Sequence, residues 1–262
     1  MESFSRFPNL ISEAEDILGY QIIELCLKGP DDQLGLTEFT QPAVYLTSYL
    51  SALSKLEEGL IPLCAAGHSV GEFAALAVAN AISFSEGLRM VSKRGEIMSQ
   101  VQGGAMAAII GLTVEEISEV LSTHELHEID FANYNSPGQI VLSGPKDQIE
   151  LSTKFIKQSG ARLVVPLKVS GAFHSRQMNR SSEKFKEFLK SFSFSLPSFP
   201  VYSNVKATPY DDPEKISDLL VRQMHSPVRW TEIITNMRKN GVADFLECGP
   251  GKVLTKLLRQ IP

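Results

Sequence analysis

The sequence predicts an α/β protein: one large domain with a parallel sheet, split in the chain by an inserted α+β subdomain of ferredoxin-like order. Three observations carry this expectation. The apolar run Leu60–Ala66 passes through a glycine-flanked turn into the alanine-rich segment "VGEFAALAVA", which reads as a buried strand stepping into a buried helix. Outside residues 103–169, strand-like and helix-like patterns alternate as they do in an α/β layer. Within 103–169 the patterns instead run β-α-β-β-α-β.

In the large domain, assigned to 1–102 and 170–262, the strand and helix around residue 69 are followed by the helix "SFSEGLRMVSKRGEIMSQ". After the insertion come the strand "FPVYSNV", two helices between Glu214 and Asn240, and the strand "DFLECG". The subdomain, 103–169, opens with the strand "AMAAIIGL" and the helix "TVEEISEVL", where Thr113 and Glu116 have the spacing of a capping box. "IDFANYNS" and "QIVLSG" are two strands joined through Pro137 and Gly138. "KDQIELSTKFIKQSG" is an amphipathic helix stopped at Gly160, and "RLVVPLKV" is the last strand. Gly103-Gly104 and Ser170-Gly171 are places where a chain can leave one domain and return to it.

Composition narrows the function classes. Of 262 residues, 43% are hydrophobic and 21% charged, and no apolar run approaches the roughly 20 residues that cross a bilayer, so no membrane role is expected. The net charge of -5 arises from 25 basic and 30 acidic residues mixed along the chain, without a basic cluster for nucleic acid. Cys26, Cys64 and Cys248 lack C-x-x-C spacing, so neither a disulfide framework nor a metal site is expected. Together with a start, "MESFSRFPNL", that lacks signal-peptide organisation, this indicates the cytoplasm.

The chemistry-bearing stretch is "AAGHSVGEFAAL". Its pattern G-x-S-x-G, Gly67 to Gly71, is that of a nucleophile elbow, in which a tight turn lifts the Ser69 hydroxyl out of the strand. The Val70 amide then sits at a helix N-terminus, placed to bind a tetrahedral oxyanion. The bland alternative is a glycine-flanked serine that caps a helix.

A serine nucleophile needs a base, and histidine suits the task. Of five histidines, His68 points away from the serine, His124 and His127 lie in the polar stretch "STHELHEID", and His225 sits in a loop before a proline. His174, in "VSGAFHSRQM", falls where the insertion returns to the large domain, and a cleft between domains is a common substrate site. Asp244 and Glu247 are conceivable orienters of its ring, as is a backbone carbonyl. Arg94, flanked by Met90, Val91, Ile97 and Met98, has two open readings: a solvated helix charge, or a fork gripping a carboxylate.

In order along the chain, "GHSVGE", "SKRGEIM", "NYNSPGQIVLSG", "GAFHS", "PVYSNV", "SPVRW" and "ECGPGKVL" resemble a malonyl-CoA:acyl carrier protein transacylase, over nearly the whole chain. "FTQPAVYLTSYL" and "VSGAFHSRQMN" are similar to the free-standing acyltransferases of polyketide synthases. The resemblance implies a hydrolase-like large domain and a ping-pong transfer of malonyl from malonyl-CoA to the phosphopantetheine thiol of an acyl carrier protein, without metal or other cofactor. It implies Ser69 as the acylated nucleophile, His174 as its base, and Arg94 as the ligand of the malonyl carboxylate. It further implies that the Gln223 main-chain carbonyl orients the imidazole, with Asn135, Asn204 and His68 near the substrate. Phe173 in "AFH" implies malonyl rather than methylmalonyl selection.

The family also opens with a strand and a loop of the form "FPGQGSQ", whose glutamine amide is a second oxyanion donor. Here "FSRFPNLISEAEDILGY" aligns with the helix after that loop, so the chain as given is expected to be slower than a longer one. Two other functions are open: an acyl hydrolase that clears carrier proteins with the same serine and histidine, and an inactive homologue, lacking the N-terminal oxyanion loop, that only binds carrier protein or synthase.

Overall fold

A computed structural model describes residues 2–262; residue 1, the N-terminal limit assigned to the large domain, lies outside them. Five helices come first: α1 (Glu2–Arg6), α2 (Pro8–Leu18), α3 (Ile22–Lys28), α4 (Asp31–Leu34) and α5 (Thr37–Glu57). Strand β1 (Ala65–Ala66) turns into α6 (Gly71–Val78), and α7 (Phe84–Ser99) follows. The middle of the chain gives β2 (Gly104–Ile110), α8 (Val114–Thr123), β3 (Asp130–Ser136), β4 (Gln139–Pro145), α9 (Lys146–Gln158) and β5 (Leu163–Pro166). Then come α10 (Asn179–Leu189), β6 (Val201–Tyr202), α11 (Ile216–Gln223), α12 (Trp230–Lys239) and α13 (Val253–Leu258).

The middle segment has the expected element order and forms an antiparallel sheet in the order β3-β4-β2-β5. Its first helix, α8, is held by a reciprocal cap: Thr113 Oγ1 accepts from Glu116 N–H, and Glu116 Oε2 accepts from Thr113 N–H. Ile109, Leu142, Ile117, Ile149 and Ile156 form a core between this sheet and α8 and α9. A separate core joins Phe73, Leu76, Leu88 and Phe185 from the helices around the elbow.

The sheet of the large domain is smaller than expected. β1 pairs in parallel with β6, Ala65 opposite Val201 and Ala66 opposite Tyr202. The rest of the run Leu60–Ala66 is not a buried strand, since Ile61 and Leu63 are 89% and 72% exposed. "FPVYSNV" supplies only β6, and "DFLECG" forms no strand. A strand exists only where a neighbour completes its hydrogen bonds. Among the described residues β1 has such a neighbour on one side alone. Leu60, Leu63, Phe245 and Leu246 instead line one apolar cavity of about 680 Å³.

What positions the site is the packing of α5 on α7. A Cβ at Gly95 would come 2.9 Å from the Thr37 carbonyl oxygen, so the two backbones are nearly in contact there. That approach brings the second turn of α5 against the middle of α7. Among the described residues no helix is long and apolar enough to cross a membrane.

Candidate active site at the elbow

The turn at Ser69 is strained and tightly held. Ser69 has φ 50, in the left-handed region that a side chain rarely adopts without support from its surroundings. A Cβ at Gly67 would lie 1.9 Å from the Gly71 carbonyl carbon, so only glycine fits; at Gly71 a Cβ would meet nothing. Asn204, fully buried at the end of the β6 segment, clamps the turn twice. Its Oδ1 accepts from Ser69 N–H at 2.7 Å and its Nδ2 donates to the Gly67 carbonyl at 2.7 Å. Gln223 Nε2 adds a third bond, to the Ser69 carbonyl, at 3.0 Å. The Val70 N–H, at the start of α6, has no partner among the described residues.

His174 meets the serine from the segment that follows the antiparallel sheet. Its φ is 58, and its own N–H is tied to the Met224 carbonyl. Ser69 Oγ lies 2.8 Å from His174 Nε2, and Nδ1 lies 2.7 Å from the Gln223 carbonyl oxygen. A carbonyl only accepts, so the ring proton sits on Nδ1 and Nε2 is left to accept the serine proton. Burial and the nearby Arg94 cation push the His174 pKa from 6.5 down to about 3, with the Gln223 carbonyl opposing. The imidazole is therefore neutral near pH 7. Neither acid weighed as its orienter is there: Glu247 accepts from the Leu254 and Thr255 amides, and Asp244 lines the apolar cavity.

Arg94 is not a solvated helix charge. It is 1% exposed, on the buried face of α7 with Met90, Val91, Ile97 and Met98, and its guanidinium carbon is 5.8 Å from the centre of the Phe73 ring. Nη1 donates to Gln41 Oε1 at 2.7 Å; Nη2 donates to Gln223 Oε1 at 2.9 Å and to Ser69 Oγ at 3.2 Å. Nε is buried without a partner. Burial lowers its pKa to about 10, partly offset by Glu72, which still leaves it cationic. A cation whose Nη2 lies 3.2 Å from the serine oxygen can receive a carboxylate attached to that serine.

Asn135 Oδ1 lies 2.8 Å from His68 Nε2, and this pair connects β3 to the elbow; the His68 ring also lies tilted against that of Trp230, 5.5 Å between centres. Phe173 is buried next to His174. The remaining histidines are not brought to the serine: His124 ends α8 and stacks on Phe155, and His127 and His225 have no bond to it. His124 is thus packed on a ring as well as exposed.

Gln41, Glu72 and Tyr210 belong to this network and were not singled out from sequence. Glu72 is fully buried and accepts from Tyr210 Oη at 2.5 Å, from Asn204 N–H at 3.1 Å, and from Gln223 Nε2. A signal was present. "VGEFAALAVA" has a single charged residue on a helix apolar all round, and such a helix is buried, so its one acid requires partners.

A neutral histidine bonded to a strained serine at a strand-to-helix elbow, with a free amide and a buried cation beside it, has the geometry that acyl transfer through serine requires. The chain belongs to the family described as "Acyl transferase domain", whose profile matches residues 7–261. It is 47% identical over 260 residues to the polyketide biosynthesis malonyl CoA-acyl carrier protein transacylase PksC of Bacillus subtilis, covering 98% of this chain and 90% of that protein. The crystal structure of a malonyl CoA-acyl carrier protein transacylase from Burkholderia pseudomallei superposes with a TM-score of 0.95 at 42% identity, over 99% of this chain and 91% of that one. A malonyl-transacylase solved with its type II polyketide synthase acyl-carrier protein has a TM-score of 0.94 at 37% identity, over 98% of this chain and 86% of that one.

Proposed function

We propose that the protein transfers malonyl from malonyl-CoA to the phosphopantetheine thiol of an acyl carrier protein, through a malonyl ester on Ser69, in polyketide or fatty-acid biosynthesis. The observation that carries this reading is the buried Arg94 guanidinium, whose Nη2 lies 3.2 Å from Ser69 Oγ. Acyl transfer alone needs no cation there, whereas a dicarboxylic acyl group does. The names of the relatives point to the same substrate and acceptor.

In the first half-reaction Ser69 Oγ attacks the thioester carbonyl as its proton passes to His174 Nε2. The Nδ1–H stays on the Gln223 carbonyl, which orients the ring and stabilises the imidazolium. The Val70 N–H receives the oxyanion. Collapse of the tetrahedral intermediate breaks the C–S bond, and His174 returns its proton to the CoA sulfur. In the second half-reaction the carrier thiol gives its proton to His174 and attacks the ester; the bond between the carbonyl carbon and Ser69 Oγ breaks, and His174 returns the proton to Ser69 Oγ. Arg94 holds the malonyl carboxylate throughout, while Asn204, Asn135 and His68 hold the elbow and its surroundings; Phe173 narrows the acyl pocket against a branch. A hydrolase of neutral acyl chains would have no use for Arg94, and a protein that only binds carriers would have none for the Ser69–His174 bond.

Residues 103–169 act in this proposal as a subdomain covering one side of the site, with 1–102 and 170–262 as the large domain. The location proposed is the cytoplasm, in keeping with three free cysteines. Purified malonylated protein mixed with a phosphopantetheinylated carrier protein tests the proposal. The expected result is loss of malonyl from the protein and its appearance on the carrier; release as free malonate at the same rate with or without carrier would support the hydrolase instead.

A further inference from the structure

Glu72 is a buried acid to which the reaction above assigns nothing. It lies in the first turn of α6, three residues after Ser69, at 0% exposure. Every group bonded to it donates. Tyr210 Oη and the Asn204 amide donate to Oε1, and Gln223 Nε2 donates to Oε2. Gln223 in turn contacts the three catalytic and binding groups: its main-chain carbonyl holds His174 Nδ1, its Oε1 accepts from Arg94, and its Nε2 also reaches the Ser69 carbonyl.

An amide side chain has one accepting end and one donating end, and it can be turned over. Arg94 has no acceptor capacity, so Gln223 serves it only with its oxygen toward α7. Two accept-only groups on the opposite side favour that direction, the Ser69 main-chain carbonyl and Glu72, and of these only Glu72 is a side chain that substitution can change. A carboxylate oxygen accepts from the Nε2 end and leaves the Oε1 end for Arg94. Asn204 fixes the other carboxylate oxygen, because a backbone N–H cannot reverse its role. We propose that Glu72 is a positioning residue for malonyl selection: it sets the polarity of the Gln223 amide, and through it the place of the Arg94 guanidinium at Ser69. This inference rests on the functional reading above.

The electrostatics agree with the geometry. Burial raises the Glu72 pKa to about 7, opposed by the three donors and by the Arg94 cation, so the carboxylate form prevails at pH 8. It also supplies a negative charge that favours the guanidinium, which a burial of this depth otherwise penalises.

Glu72→Gln keeps the shape and removes the all-accepting character. The new amide must turn its oxygen to the Asn204 N–H and its NH2 to Gln223. Gln223 then meets a donor at its Nε2 end and must either turn over, setting NH2 against Arg94 and oxygen against the Ser69 carbonyl, or shift away from residue 72; either way its Oε1 leaves its place at Arg94. The experiment compares kcat/KM for malonyl-CoA and acetyl-CoA at pH 8 in the wild type, Glu72→Gln and Gln223→Met, with thermal unfolding of each. A misplaced cation harms the charged substrate more. The expected result is a malonyl-to-acetyl ratio lowered at least about tenfold in Glu72→Gln, by the loss of a charge-assisted bond, and lowered at least as far in Gln223→Met. Gln223→Met retains the main-chain carbonyl and tests the same relay where Glu72→Gln does not fold. An unchanged ratio in Gln223→Met, or in a folded Glu72→Gln, overturns the proposal. Equal slowing of both substrates also overturns it, since that would mark Glu72 as structural only. A wild type that takes up no malonyl overturns the functional reading itself.

Discussion

Arg94 and His174 share one electrostatic problem. Both are buried beside Ser69, and the Arg94 cation is the second cause, after burial, of the low His174 pKa. In the proposed reaction an ionised malonyl carboxylate on Arg94 would cancel part of that effect, so the substrate would also make His174 a stronger base. Two outcomes follow for Arg94→Ala. The malonyl carboxylate is left unpaired in a buried site, at about 3 to 5 kcal/mol, so kcat/KM for malonyl-CoA should fall at least about 100-fold while acetyl-CoA is little affected. With the cation gone, the His174 pKa rises; a base is lost below its pKa, so the acid limb of the acetyl-CoA profile should move to higher pH. A parent-like preference for malonyl, or an unmoved limb, would contradict this. At this scale the sequence was only partly legible. Ser69 and His174 stand in local patterns, but the neighbours of Arg94 on α7 fit a surface charge as well as a buried one. Only the approach of Gln41 from α5 and Gln223 from α11 decides it.

The elbow illustrates how far an element can be read from its own residues. The turn, the helix after it and the capped α8 all use short-range chemistry: a glycine where no Cβ fits, an apolar run, a Thr-x-x-Glu box. The Pro137–Gly138 connection is equally local. β1 and β6 are different, because a parallel ladder of two residues is set by partners about 135 positions away, as for Ala65 and Val201. That is why the strand expected at Leu60–Ala66 is reduced to Ala65–Ala66 and none forms at "DFLECG". The two glycines of the elbow should likewise separate under mutation. Gly67→Ala drives a Cβ into the Gly71 backbone, a clash costing about 1 to 3 kcal/mol or more, which lowers Tm by several degrees and misplaces Ser69. Gly71→Ala meets open space and should retain both Tm and acylation rate. Calorimetry with single-turnover acylation distinguishes the two; equal effects would refute the steric account.

At the scale of the whole molecule, the site is assembled from α5, the elbow, α7, the segment 172–175 and the end of α11, spanning residues 41 to 223. No composition or periodicity brings these together. Ordered motifs did so through family resemblance, which also supplied the one partner without a side-chain signature, the Gln223 carbonyl. Glu72 stayed hidden because its role lies in connecting Gln223 and Asn204 rather than in touching substrate. All of these parts converge on a single oxygen, Ser69 Oγ, bonded to His174 and within reach of Arg94. The central claim is therefore tested most directly by intact-mass measurement after mixing the protein with malonyl-CoA. One malonyl adduct on the wild type, mapped to the peptide carrying Ser69 and absent from Ser69→Ala, is the predicted result. The same adduct on Ser69→Ala, or no adduct on a folded wild type, would contradict it.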